Sequence, residues 1–173
     1  MIIVLIGYMG SGKSTIGKEL SKVLNYAFLD LDDYISDKES SSIVSIFKTK
    51  GKIYFRKIEA KYLRHIISNS NNLVLSLGGG TPCYANNIDF IESHSNVLSF
   101  YLKLSVSSLA KRLIKEKEKR PVISHLNSEE ELIEFVSKHL FERITYYTKA
   151  TYIINTNDKS KGAIIQDIIM QLI

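Results

Sequence analysis

Cysteine is almost absent from this 173-residue chain: Cys83 stands alone. A single thiol excludes an internal disulfide and any multi-thiolate metal site, and it fits a protein of a reducing compartment, with the cytoplasm as the default. Long hydrophobic runs are missing as well. The opening MIIVLIG gives way within a few residues to polar, glycine-rich sequence, with neither a basic leader nor a cleavage-like segment. No other window approaches the ~20 apolar residues of a bilayer span, so the expectation is a chain that does not insert into membranes. Proline occurs only twice, and no linker, repeat or low-complexity tract divides the chain. One domain over 1–173 is expected, and the 45% apolar content suffices for one substantial core. The histidines, His65, His94, His125 and His139, lack metal-ligand spacing and are assigned no role.

What the chain does have is a net charge of +5, distributed without any sustained basic run free of acids. Such a balance suits a phosphate-handling site better than a nucleic-acid footprint or a membrane surface. Short β-rich apolar runs alternate with longer amphipathic stretches, the signature of a parallel sheet flanked by helices. The spacing predicts strands at Ile2–Ile6, Ala27–Asp30, Leu73–Leu77, Val97–Leu102 and Tyr152–Asn155. Helices are predicted over Lys13–Leu24, Ile43–Ser68 with an interruption at Gly51, Val106–Lys117, Glu129–Lys149 and Lys161–Leu172. KEKEKRPVISHLNSEE reads as an exposed loop between two helices, and a mobile lid over about 113–127 is one reading of it.

The strongest chemical signal is Gly7-Tyr8-Met9-Gly10-Ser11-Gly12-Lys13-Ser14-Thr15, which follows a five-residue apolar strand and opens a helix. Glycines at this spacing let successive backbone N–H groups wrap a phosphate at a helix N-terminus, where the helix dipole also favours negative charge. Lys13 would then reach the β- and γ-phosphates, and Ser14 would offer its hydroxyl to Mg²⁺. At the end of the second strand, Asp30 and Asp32 stand two residues apart in LDLDD, facing the phosphate loop if the chain stays extended, with Asp33 opening the next helix. Two carboxylates there can divide the work: one orients Mg²⁺, usually through water, and the other accepts a proton from an attacking hydroxyl. A pair of N-capping aspartates is the plainer alternative.

Gly78-Gly79-Gly80 closes the third strand and gives backbone that a ligand can approach closely, or simply a tight turn. The acidic residue that ends this strand in many P-loop NTPases is absent, which argues against a motor, GTPase or helicase and for a small-molecule kinase. Only five arginines occur among 23 basic residues. Arg56, Arg112, Arg120 and Arg143 sit near motifs, whereas Arg64 reads as a surface position. A planar, permanent charge suits carboxylate and phosphate recognition, although a surface salt bridge explains any one of them alone. Phe47, Tyr54 and Phe55 offer walls near the acceptor side or serve as core aromatics, the core reading being preferred for Phe47. Cys83 reads as a buried, inert thiol.

Taken in order, GYMGSGKST, LDLD, YFRKIE, SLGGG, KRPVI and ERITYY resemble the shikimate kinase family over essentially the whole chain. The resemblance implies a P-loop three-layer α/β/α sandwich with a five-stranded parallel sheet in the order 2-3-1-4-5, like nucleoside monophosphate kinases, and a mobile lid. It implies an ATP-dependent phosphotransferase that makes shikimate 3-phosphate and ADP in aromatic amino acid and chorismate biosynthesis. ATP and shikimate are then the partners and Mg²⁺ the cofactor, with no nucleic acid or membrane involved; the sequence does not give the oligomeric state, and a cytoplasmic monomer is the default. Gly10, Ser11, Gly12, Lys13, Ser14 and Thr15 would bind nucleotide, with Arg112 against adenine and Asn155, in Asn155-Thr156-Asn157, near the base pocket. Gly78, Gly79, Gly80, Arg56 and Arg143 would surround the acceptor, with Asp32 as base and Asp30, with Ser14, on the metal side. Arg120 would close onto the phosphates from the lid. Another small-molecule kinase of the same fold, acting on gluconate or a nucleoside monophosphate, is the alternative, as is a nucleotide-binding protein that has lost the chemistry.

Overall fold

A computed structural model describes residues 1–116, 122–126 and 128–173 of the chain. Five strands, β1 (Ile2–Ile6), β2 (Ala27–Asp30), β3 (Leu73–Ser76), β4 (Val97–Lys103) and β5 (Tyr152–Asn155), form one sheet in the order β2-β3-β1-β4-β5. Every pairing is parallel, with Ile2 opposite both Leu73 and Val97, Ala27 opposite Leu73, and Phe100 opposite Tyr152. Parallel strands need a crossover between them, and the helices supply it. These are α1 (Lys13–Leu24), α2 (Leu31–Glu39), α3 (Ile43–Asn69), α4 (Asn87–Glu92), α5 (Val106–Ile114), α6 (Glu129–Tyr147) and α7 (Lys161–Ile169).

β1 shows why the sheet is central: all five of its residues are fully buried, so the strand faces protein on both sides. Alternation then divides its side chains between two cores. Ile2, Val4 and Ile6 pack with residues of α2 to α6, such as Ile35, Phe55, Leu113 and Val136. Ile3 and Leu5 pack with Ile16 and Leu20 of α1 and Ile164 and Ile168 of α7. The expected three-layer sandwich and strand order are therefore present.

The differences from expectation have local causes. The LDLDD segment does not stay extended to Asp32: the Asp30 carboxylate accepts the Asp32 N–H, caps the chain and starts α2 at Leu31 rather than Asp33. The six-residue α4 was not anticipated, since it buries too few apolar side chains to display a period. α3 runs through the expected interruption, with Gly51 at φ 81° breaking the helical conformation. α5, α6 and α7 end two or three residues earlier than the patterns suggest, while β4 runs one residue further, to Lys103, and β3 stops one sooner, at Ser76. Within 113–127, Ile123 is fully buried in the larger core and Leu126 packs against it. Among the described residues no helix is long and apolar enough to cross a membrane.

Candidate active site

The ligand-facing residues collect at the carboxyl ends of β1, β2 and β3, where an open parallel sheet leaves a crevice. A cleft of about 390 Å³ is lined there by Gly10, Gly12, Lys13, Ser14, Thr15, Asp30, Asp32, Gly78, Gly79 and Arg112, together with Met9, Leu77 and Glu116. A second cavity of about 380 Å³ is lined by Lys52, Arg56, Cys83, Tyr84, His139, Glu142, Arg143 and Tyr146. Asp32 joins the two groups electrostatically, since its carboxylate feels both Lys13 and Arg56.

At the nucleotide end the loop between β1 and α1 turns through Gly10 at φ 80° and Gly12 at φ 95°. Gly12 caps α1 without any side-chain hydrogen bond, leaving the first-turn N–H groups available to an anion. The Lys13 ammonium lies folded across the loop, donating to the carbonyls of Gly7 at 2.8 Å and Tyr8 at 3.0 Å. Ser11 Oγ is buried with no hydrogen-bond partner among the described residues, an orphaned donor inside a cradle shaped for phosphate. Ser14 Oγ donates to Asp30 Oδ2 at 2.7 Å. That places a hydroxyl and a carboxylate together, the hard oxygen donors that Mg²⁺ takes alongside nucleotide phosphates. Arg112 on α5 donates to the Gly10 carbonyl at 3.2 Å, so its guanidinium rests on the phosphate loop. Asn155 is not among the residues of this cleft. Its amide oxygen accepts from the N–H and side chain of Asn157, and it lines a separate groove with Lys159 and Asp167. Arg120 lies outside the described residues.

The acceptor end is assembled from buried charge. Asp32, at the start of α2, has its carboxyl pushed up to about 6, first by burial and then by the nearby negative charges of Asp30 and Glu59, against the opposing pull of Lys13 and Arg56. Arg56 donates to Glu59 Oε2 at 2.6 Å one turn along α3, and Glu59 is 1% exposed. The other oxygen of Glu59 accepts from Thr81 Oγ1 at 2.7 Å, which ties α3 to the segment after the triple glycine. Arg56 also lies 4.1 Å from the centre of the Tyr84 ring, and its Nε is buried without a partner among the described residues. Glycine at 80 leaves room for the arginine: a Cβ there would come within 2.6 Å of Arg56 Nη2 and displace the guanidinium. At 78 it would come within 3.0 Å of Asp32 Oδ1. Arg143 on α6 stands 5.5 Å from the centre of the Tyr8 ring, and Tyr147, one turn further, donates to the Gly79 carbonyl at 2.5 Å. Tyr8 and His139 are 3.3 Å apart at Oη and Nδ1, joining the phosphate loop to α6.

Several residues are placed differently from their sequence reading. Arg64 is half-buried rather than a surface position: it donates to the carbonyls of Ala60 and Ala85 and to Asn87, clasping α3 to the start of α4. Phe47 is not core; it is 37% exposed and packs on Phe55, which is buried. Tyr54 donates to Glu39 at 2.7 Å, bracing α3 against α2. Cys83 is half-buried and faces the second cavity, yet burial pushes its thiol up to about 11, so it is inert at neutral pH. Glu59, Thr81 and Tyr147 received no role from sequence. Glu59 and Tyr147 lie in YFRKIE and ERITYY, and their spacing from Arg56 and Arg143 by three or four residues is the signal that places them on the arginines' helix face.

The sequence matches the family described as shikimate kinase over residues 9–173. It is similar to the shikimate kinase of Flavobacterium johnsoniae, with 44% identity and 96% of each chain covered. With that of Flavobacterium psychrophilum it shares 47% identity, over 96% of this chain and 95% of the relative. Among solved structures, shikimate kinase from Bacteroides thetaiotaomicron superposes with a TM-score of 0.90 at 32% identity, covering 99% of this chain and 98% of the other. Shikimate kinase from Acinetobacter baumannii, solved in complex with shikimate, gives 0.85 at 31% identity, covering 99% and 92%. A deoxyadenosine kinase from M. mycoides, 20% identical with a TM-score of 0.59, shares the fold alone.

Proposed function

This chain belongs to the shikimate kinase family, and from that premise we propose how its own residues carry the γ-phosphoryl group of ATP to the 3-hydroxyl of shikimate. The observation that carries the reading is Asp32: one half-buried carboxylate beside the phosphate loop on one side and the Arg56–Glu59 pair on the other. Shikimate presents one carboxylate and three hydroxyls. Arg56 and Arg143 clamp the carboxylate, which satisfies the orphaned Arg56 Nε, while Asp32 takes the reacting hydroxyl. The hydroxyl oxygen attacks phosphorus as its proton passes to Asp32, the bond from phosphorus to the β–γ bridging oxygen breaks, and ADP leaves. A carboxyl near 6 is ionised at neutral pH, yet is a better base than one at the ordinary value of 3.8.

On the nucleotide side, Lys13 exchanges its two loop carbonyls for phosphate oxygens, and Ser11 and the α1 N-terminus complete the cradle. Gly10, Gly12, Ser14 and Thr15 line the same cradle, and Arg112 supports its far wall. Ser14 and Asp30 would hold Mg²⁺, whose chemistry there is to neutralise phosphate charge. Asn155, which lines a separate groove, and Arg120 enter this reading from the sequence resemblance alone, the first beside adenine and the second as the cation that closes over the transferring group within a lid at 113–127. Gly78, Gly79 and Gly80 admit the acceptor against backbone. The whole of 1–173 acts as one domain and one monomer, and the lone cysteine fits a cytoplasmic enzyme of chorismate and aromatic amino acid biosynthesis.

The test is ADP release with Mg-ATP in the presence of shikimate, gluconate, AMP or no acceptor. Turnover that depends on shikimate is expected. Turnover with another acceptor would keep the phosphate-loop chemistry and discard the assignment of Arg56 and Arg143.

A further inference from the structure

We propose that Lys52 is a third cation of the acceptor site, a specificity-determining residue at its mouth that draws a carboxylate-bearing acceptor onto the two arginines. This deepens the reading of Arg56 and Arg143 as the acceptor clamp and rests on it. Lys52 follows the Gly51 break directly, at the start of the second half of α3, and Arg56 is four residues on, on the same helix face. Both line the cavity that Arg143 enters from α6. Both also share one ring: the Lys52 ammonium lies 5.1 Å and the Arg56 guanidinium 4.1 Å from the centre of Tyr84.

Two like charges at i and i+4 over one ring repel, and a helix with no use for them loses stability by keeping them. Two other cations of this helix have acidic counterparts. Arg56 has Glu59, and Lys50 donates to Glu39 at 3.1 Å. Lys52 has no carboxylate within ion-pair distance among the described residues, and its recorded neighbour is the Tyr84 ring. The Glu142 carboxylate borders the same cavity, so the mouth is not uniformly positive. An anion entering between Lys52, Arg56 and Arg143 would offset the repulsion, and Tyr84, which lines the same cavity, would give the acceptor's carbon ring an apolar wall. Lys52 is exposed, so its effect is one of capture and affinity, not of chemistry.

The experiment compares Lys52→Gln, Lys52→Glu and Lys52→Arg with Lys57→Gln, which removes a lysine from the neighbouring exposed turn of α3. Steady-state rates are taken against shikimate at saturating Mg-ATP, in low and high salt. The KM for shikimate should rise roughly twofold to fivefold in Lys52→Gln at low salt, the size expected of one exposed charge, and further in Lys52→Glu. Lys52→Arg should restore it, kcat and the KM for ATP should hold in all variants, and the difference should shrink at high salt. An unchanged KM for shikimate in Lys52→Gln, an equal rise in Lys57→Gln, or a loss confined to kcat would overturn the proposal. Failure of the parent enzyme to turn over shikimate would instead overturn the acceptor assignment.

Discussion

The two ends of the crevice are built on opposite plans. The nucleotide end is nearly all backbone: one loop of nine consecutive residues, Gly7 to Thr15, supplies glycine turns, helix N–H groups and a single lysine. The acceptor end is nearly all side chain, with Asp32 from α2, Arg56 and Glu59 from α3, Thr81 from the turn after β3, and Arg143 and Tyr147 from α6. A backbone cradle fits any polyphosphate and is insensitive to pH. A cluster of buried charges is selective, titratable and costly to fold. On the proposed assignment of these residues, specificity for the acceptor resides where stability is given up.

Asp32 should separate the ends most sharply. Asp32→Asn keeps the shape and removes the proton acceptor, so kcat should fall by roughly 10² to 10⁴, while the affinity for ATP, measured by fluorescence titration, stays near that of the parent. The same variant should be more stable. The native carboxyl titrates near 6 and the unfolded one near 3.8, so ionising Asp32 opposes folding; the cost is absent below about pH 4, grows between 4 and 6, and is complete above 6, where it amounts to about 3 kcal/mol at most. Denaturant melts of the two proteins at pH 7.5 should therefore show the variant ahead, and a turnover close to the parent's would remove Asp32 from the chemistry.

A smaller effect is expected where the side-chain cluster grips the glycine backbone. Tyr147→Phe removes the hydroxyl that donates to the part-buried Gly79 carbonyl and leaves that acceptor without this donor. A stability loss of about 1 to 3 kcal/mol should follow, with a several-fold rise in the KM for shikimate and little change in the KM for ATP. Equal rises in both KM values would mean that the two ends are not separable in the way described.

The same contrast explains what could be read from the sequence. The phosphate loop was legible because its chemistry is contiguous and its context, strand then loop then helix, is local. The sheet was legible because β1 is buried on both faces and reads as an unbroken apolar run. Arg56, Arg143 and the glycines became site candidates through resemblance, since nothing in their spacing brings α3 and α6 together. Glu59 was passed over because an acid on a long helix ordinarily faces water, and only the fold shows that Arg56 and Thr81 hold it inside. Arg64 was misread for the mirror reason: its partners Ala85 and Asn87 are more than twenty residues away in sequence. The extended reading of Asp32 failed at a single hydrogen bond, the Asp30 cap, which turns the chain into α2.

The most direct measurement of the central claim, that buried charge around Asp32 tunes it as the base, is the pH dependence of kcat/KM for shikimate in the parent and in Glu59→Gln. Glu59 is one of the charges that raise the Asp32 carboxyl, so neutralising it should lower that carboxyl. The parent should lose activity as pH falls through about 6, and Glu59→Gln should carry that acid limb to lower pH, whatever its absolute rate. An acid limb in the parent near the ordinary carboxylate value, or one that stays in place when Glu59 is neutralised, would contradict the claim.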